Sequence, residues 1–188
     1  MSGVNFQIRL GLVLYGGISL AVYMNGMAQE LLALVRASHA RRMAARNPDS
    51  AFVREQQVTN PYYRLLEAAG VDVTIDVIAG TSAGGLNGLM LAKALATGAP
   101  DLGPMAELWK RHAQVSKLST YDQEPVSLFS GTYLKTELEK VLQHLSRAGD
   151  PSLAAQAEVL DLFVTATDVR GHRWSRPEAF AQDMQGIS

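Results

Sequence analysis

The run Val73-Thr74-Ile75-Asp76-Val77-Ile78-Ala79-Gly80-Thr81-Ser82-Ala83-Gly84-Gly85 changes character in its middle. Val73 to Ala79 is rich in β-branched residues and reads as a strand. After Gly80 the composition switches to small residues and helix formers, so a helix is predicted from Ser82 through Ala96, ending near Gly98. A strand that bends at once into a helix presents whatever residue sits at the bend, and here that residue is Ser82. A serine hydroxyl is a weak nucleophile and must be held at an exposed, fixed point beside a base. Glycines on both sides, Gly80 and Gly84, remove side chains that would crowd so sharp a turn. The helix start that follows aims free amides and a positive dipole end at any developing oxyanion, and the Ala83 amide is the natural donor. The competing reading is a small-residue turn where a helix crosses a sheet. The strand directly before and the helix directly after favour a nucleophile elbow with Ser82 as catalytic residue.

Toward the amino terminus, Gln7 to Leu14 reads as a strand covered on both faces, closed by Gly16-Gly17. From Ile18 to about Met43 the pattern is helical, with Leu20, Met24, Met27, Leu31, Leu34 and Val35 on one side. Arg41, Arg42 and Arg46 fall near its end, where cations suit the helix dipole. Gly16 and Gly17 lie at the carboxyl end of the first strand, the edge where open α/β sheets bind ligands. Their amides are candidates for a second pair of oxyanion donors, and a plain strand-to-helix turn is the equal alternative. Neither glycine turn has the spacing of a dinucleotide or phosphate-binding loop. Asn47 to Gln57 reads as a polar loop, and Asn60-Pro61 opens a short helix that stops at Gly70. Further helices are predicted over Pro104–Val115 and Thr132–Leu145, and a third strand over Leu160–Thr167, ending at Asp168-Val169-Arg170-Gly171. Strands alternating with helices imply one α/β domain over residues 1–188, with a mainly parallel sheet and helices on both faces.

Bulk properties narrow the function. With 188 residues, 47% of them apolar and 19% charged, the chain is globular and long enough for a sizeable core. A net charge of −1, with one short basic cluster from Arg36 to Arg46, argues against nucleic acid as partner. There is no cysteine, which excludes disulfides and thiolate chemistry. No His, Asp and Glu cluster has metal-ligand spacing, and no cofactor is expected. Leu10 to Gln29 carries no formal charge and imitates a signal peptide or membrane span. Its glycine break and Asn25 would be costly in hydrocarbon, so it reads as strand, turn and buried helix. The expected location is cytoplasmic, with a membrane-touching face, and the oligomeric state is open.

His112, His144 and His172 all follow Ser82, so a Ser…Asp…His order is formally available, yet each lies in a charged segment typical of surface histidines. His39 reads as a solvated helix residue. Met24, Met27 and Met90 read as core filler, and Trp109 and Trp174 as partly buried packing.

The two glycine turns in this order resemble the patatin-like phospholipase family. The resemblance rests on the first strand with Gly16-Gly17-Ile18-Ser19-Leu20-Ala21-Val22-Tyr23-Met24, on Gly80-Thr81-Ser82-Ala83-Gly84-Gly85, on the helix start Ser130-Gly131-Thr132-Tyr133-Leu134, and on Thr165-Ala166-Thr167-Asp168. The first of these is similar to a patatin-related bacterial subgroup. The resemblance implies a three-layer α/β/α fold and a lipid acyl hydrolase with a serine–aspartate dyad, needing neither calcium nor a catalytic histidine. It implies a lipid or acyl-ester substrate and peripheral membrane contact. The sequence departs from the family at the first turn, where Leu14 and Tyr15 replace an aspartate and a glycine, Ser19 a cation and Leu20 a glycine. The oxyanion site then rests on the Gly16, Gly17 and Ala83 amides. The dyad aspartate is expected in an Asp-Gly turn, and no aspartate here is followed by glycine. Asp168 is therefore not assigned as base. The aspartate is expected outside this chain, which reads as the front part of a longer domain. Two alternatives remain: a non-catalytic lipid-binding or interaction module, and an esterase or acyltransferase with a histidine base.

Overall fold

The computed structural model describes residues 6–112, 131–154 and 159–167. Its centre is β2, Val71–Thr81, flanked by β1, Phe6–Leu14, and β3, Asp161–Thr165, in the order β1-β2-β3 with both pairings parallel. Between β1 and β2 run a short 3₁₀ turn (Ile18–Leu20) and the helices α1 (Ala21–Ala44), α2 (Ala51–Thr59) and α3 (Pro61–Ala69). Between β2 and β3 lie α4 (Ala83–Thr97), α5 (Gly103–His112) and α6 (Gly131–Ala148), then a second short turn, Pro151–Leu153. This is the α/β class expected, with a parallel sheet whose neighbouring strands are joined through helices.

The main core lies between α1, α4, α5, α6 and one face of the sheet. Ile75, Ile78, Met90, Leu91, Leu95, Leu102, Leu108 and Leu145 are all fully buried there. Leu10, Leu12, Leu14 and Leu162 supply the sheet side of the layer. A bulge shapes that face. Leu10 pairs with Ile75 but Gly11 pairs with Val77, so Asp76 is an extra residue on β2. The alternation shifts there, and the core residue after Ile75 is Ile78 rather than Val77.

On the opposite face Asp72 and Thr74 of β2 are buried, and the exposed part lies toward the carboxyl ends of the strands. Val13, Ala79 and Phe163 form one row across the three strands, with Val13 65% and Phe163 59% exposed. A strand covered on both faces was the expectation for Gln7–Leu14. Instead β1 is an edge strand with Phe6, Ile8 and Val13 exposed, because the described helices that touch it pack against only one side.

Helix α1 corrects the expected face. Met24 and Val35 are buried, but Leu20 and Met27 are exposed, so Met27 is not core filler. The buried stripe is Ala21, Met24, Ala28, Leu32, Val35 and Ala40. Ala21 and Ala28 face α4, itself rich in glycine and alanine, where small side chains let helices approach, and Ala40 packs in a smaller cluster with Phe52, Tyr63 and Leu66. The polar stretch expected to be a loop carries α2, where Phe52 and Val53 are buried beside α1. Tertiary burial outweighs the low apolar content there. The helix opened by Asn60-Pro61 forms as expected: the Asn60 side chain accepts from the Tyr62 amide, and Gly70 closes the helix in the left-handed region at φ 66°. The third strand is shorter than expected, and Val115, Asp168, His172 and Trp174 lie outside the described residues.

The basic cluster from Arg36 to Arg46 is largely internal wiring. Buried Arg36 donates to the carbonyls of Gly98 and Ala99 and lies 5.1 Å over the Phe52 ring. Arg41 donates to the Val71 carbonyl and to Asp72, and Arg42 to Ser38 Oγ.

Candidate active site at the strand–helix turn

The bend between β2 and α4 places Ser82 at the N-cap of α4 with φ 52° and ψ −128°. Among the described residues it is the one non-glycine with positive φ. Holding a side chain in that region costs on the order of 1–3 kcal/mol and persists only when the surroundings enforce it. Those surroundings are close-packed backbone at the flanking glycines. A Cβ on Gly80 would lie 2.7 Å from Gly85 Cα, and one on Gly84 would collide with the carbonyl oxygens of Leu14 and Tyr15. Gly85 and Gly88 bring α4 down onto Val164 and Ile78. The helix thus starts pressed against the ends of β1, β2 and β3, which forces the chain to reverse through Ser82. The first helical hydrogen bond runs from the Leu86 amide to the Ser82 carbonyl, and Ser82 itself is exposed.

Register brings the other glycine turn to the same spot. Leu14, the last residue of β1, pairs with Gly80, so Tyr15-Gly16-Gly17 emerges beside the serine turn. A Cβ on Gly16 would lie 2.8 Å from Ser82 Cβ and 3.5 Å from Ser82 Oγ, so only glycine fits this approach. Gly17, at φ 130°, turns the chain into the 3₁₀ segment and accepts from the Leu20 amide. Gly16, Gly80, Ser82, Ala83 and Gly84 are therefore brought together, with Gly17 next in the chain. Ala83 is at the first helical position, where an amide has no acceptor within its own helix.

Among the described residues no carboxylate or imidazole hydrogen-bonds to Ser82. His144 is exposed on α6, beside a cleft of about 230 Å³ with Glu107, Arg111, Glu137 and Lys140. A second cleft, of about 330 Å³, lies between α1, α2 and α3, where Arg36, Glu55, Gln56 and Asn60 line it. Neither is lined by Ser82 or the glycine turn. Strained backbone marks the site. His39 departs from expectation: it lies against Phe52 with ring centroids 6.0 Å apart, and its Nε2 is buried without a partner. Burial, then Arg42 and Arg36, hold its pKa below the usual value.

One residue of this region escaped sequence reasoning. Asn87, fully buried on α4, bonds to Trp109 on α5 and to the first turns of α1 and α4. The available signal was a lone amide in an otherwise small and apolar helix segment, Gly84-Gly85-Leu86-Asn87-Gly88-Leu89-Met90. Trp109 is buried, in line with its reading as packing.

A parallel sheet that hands a strained serine from strand to helix is the arrangement used by α/β serine hydrolases. The chain belongs to the patatin-like phospholipase family, whose model matches residues 12–184. It is also similar to an uncharacterized membrane protein, Rv3479, of Mycobacterium tuberculosis, at 27% identity over 96% of this chain. The chain spans 18% of the length of that relative. No solved structure matches it. Among the described residues no helix is long and apolar enough to cross a membrane.

Proposed function

We propose that this chain carries the nucleophile half of a lipid acyl hydrolase of the phospholipase A or esterase type. The observation that carries the proposal is Ser82 in a strained, exposed turn packed directly against Gly16. Ser82 Oγ attacks the ester carbonyl and passes its proton to an aspartate base outside this chain. The tetrahedral oxyanion accepts hydrogen bonds from the amides of Ala83, Gly16 and Gly17. Collapse expels the alcohol, which takes the proton back, and water attacks the acyl-serine to release the fatty acid and free Ser82.

Substrate reaches the site from a lipid surface. Tyr15, Leu20, Tyr23 and Met27 are exposed on and beside the glycine turn, and they carry no charge to resist contact with acyl chains. The protein acts in the cytoplasm as a peripheral visitor to that surface.

A fluorophosphonate probe tests this in the intact protein. Labelling is expected at Ser82, and Ser82→Ala is expected to abolish it. A mutant that labels as well as the parent would sink the proposal.

A further inference from the structure

Asn87 is enclosed on all sides, at 0% exposure, one turn into α4 beyond Ser82. Its Oδ1 accepts from Trp109 Nε1 at 3.1 Å and, more distantly, from Asn25 Nδ2 at 3.4 Å. An indole nitrogen can only donate, so this contact decides which amide atom is the oxygen. Nδ2 therefore faces two backbone carbonyls, Ala83 at 3.0 Å and Ala21 at 3.2 Å. Ala83 opens α4 and bears the proposed oxyanion donor. Ala21 opens α1, directly after the 3₁₀ turn that is tied back to Gly17 by the Leu20 amide. One amide group thus bridges the first turns of the two helices that carry the two glycine turns.

Packing alone does not call for this. A buried amide loses its water, and only complete pairing offsets that loss. Leucine at this position would avoid the cost, as it does at the neighbouring core positions Leu91 and Leu95. What the amide adds over leucine is direction: both N–H bonds are short-ranged and angular, so they hold two backbones at one separation.

We propose that Asn87 is a positioning residue that locks the start of α1 to the start of α4, and so holds the Gly16–Gly17 turn in register with Ser82 and Ala83. Its consequence for catalysis rests on the hydrolase reading above: oxyanion donors act only when they are held where charge develops. The Trp109 indole orients the clamp by occupying Oδ1.

Hydrogen exchange and probe labelling, run together, test the lock. The proteins are the intact protein as parent, its Asn87→Ala variant, and Leu95→Ala as a core-cavity control further along α4. In Asn87→Ala, peptides covering residues 15–25 and 81–88 should exchange about 10-fold faster than in Leu95→Ala. The fluorophosphonate rate constant at saturating probe should fall about 100-fold, as on losing an oxyanion donor, with half-saturation unchanged. Leu95→Ala should label at close to the parental rate. If Asn87→Ala does not fold, Asn87→Asp is read in the same way, since it keeps the acceptor for Trp109 and loses both donations. Exchange at both turns no faster than in the control overturns the lock. Faster exchange with undiminished labelling overturns its role in positioning the donors. Should the parent not label at Ser82 at all, the hydrolase reading falls, and exchange alone still decides whether Asn87 locks the turns.

Discussion

At Gly84 the space for a side chain is already taken by backbone. Its missing Cβ would overlap the Leu14 and Tyr15 carbonyls, which cannot rotate away because β1 is paired to β2 at that point. Gly84→Ala is therefore expected to destabilise by about 3 kcal/mol or more, read as a fall in the urea midpoint. Gly26 makes the opposite case. It is exposed on α1 with nothing near its absent Cβ, so Gly26→Ala should stabilise by about 0.5–1 kcal/mol. His39 supplies a pH signature. Its native pKa is lowered from 6.5 by burial first and by Arg42 and Arg36 next. Between that lowered value and 6.5 the unfolded chain binds more protons, so stability present above 6.5 is lost as pH falls through the window. In His39→Gln the drop in melting temperature between about pH 7.5 and 5.5 should shrink. An equal drop in both proteins would show that His39 contributes nothing.

Among the elements, α4 is tied down at both ends by side chains of its neighbours. Asn87 binds its first turn to α1, and Arg36 of α1 caps its far end through the Gly98 and Ala99 carbonyls. Arg36→Met keeps much of the side-chain volume but leaves those carbonyls without their donor and removes the cation from Phe52. A loss of about 2–4 kcal/mol is expected in chemical denaturation, with the far end of α4 exchanging its amides sooner. Of the alanines that α1 buries, Ala21 and Ala28 share the core with α4, whereas Ala37 and Ala40 pack with Phe52, Tyr63 and Leu66. Apolar periodicity over Ile18–Met43 identified the helix but pointed its face wrongly at Leu20 and Met27, because it weighted large residues and passed over Ala21, Ala28, Ala37 and Ala40. In α2 the error ran the other way. Ser50-Ala51-Phe52-Val53-Arg54-Glu55-Gln56-Gln57 is too polar and short to stand as an isolated helix, and it forms against α1.

For the molecule as a whole, one sheet face carries the core, and on the other Val13 and Phe163 stand exposed on either side of half-buried Ala79. Contiguous exposed apolar surface of this kind binds apolar dyes and promotes association. Val13→Thr combined with Phe163→Thr is expected to reduce anilinonaphthalene sulfonate fluorescence severalfold and to narrow the elution peak in size-exclusion chromatography, while far-ultraviolet circular dichroism is unchanged. Dye binding equal to the parent would mean that the row is covered in solution. Membership of the patatin-like phospholipase family rests on the same large scale, since the match runs from residue 12 to residue 184.

The local order from Val73 to Gly98 was legible in sequence because every signal there agrees: β-branched strand, glycine, serine, glycine, helix formers, glycine cap. So were the stop at Gly70 and the start at Asn60-Pro61, which depend on residues adjacent in the chain. Tertiary structure decided everything that depends on distant partners. Pairing of Leu14 with Gly80 set Gly16 against Ser82, the bulge at Asp76 moved the core from Val77 to Ile78, and α1 turned Ala21 and Ala28 inward to meet α4. Asn87 belongs with these. Its residue type is visible in the sequence, but the carbonyls of Ala21 and Ala83 that give it a task meet only when α1 and α4 pack, because a hydrogen bond is defined by distance and angle, not by position along the chain.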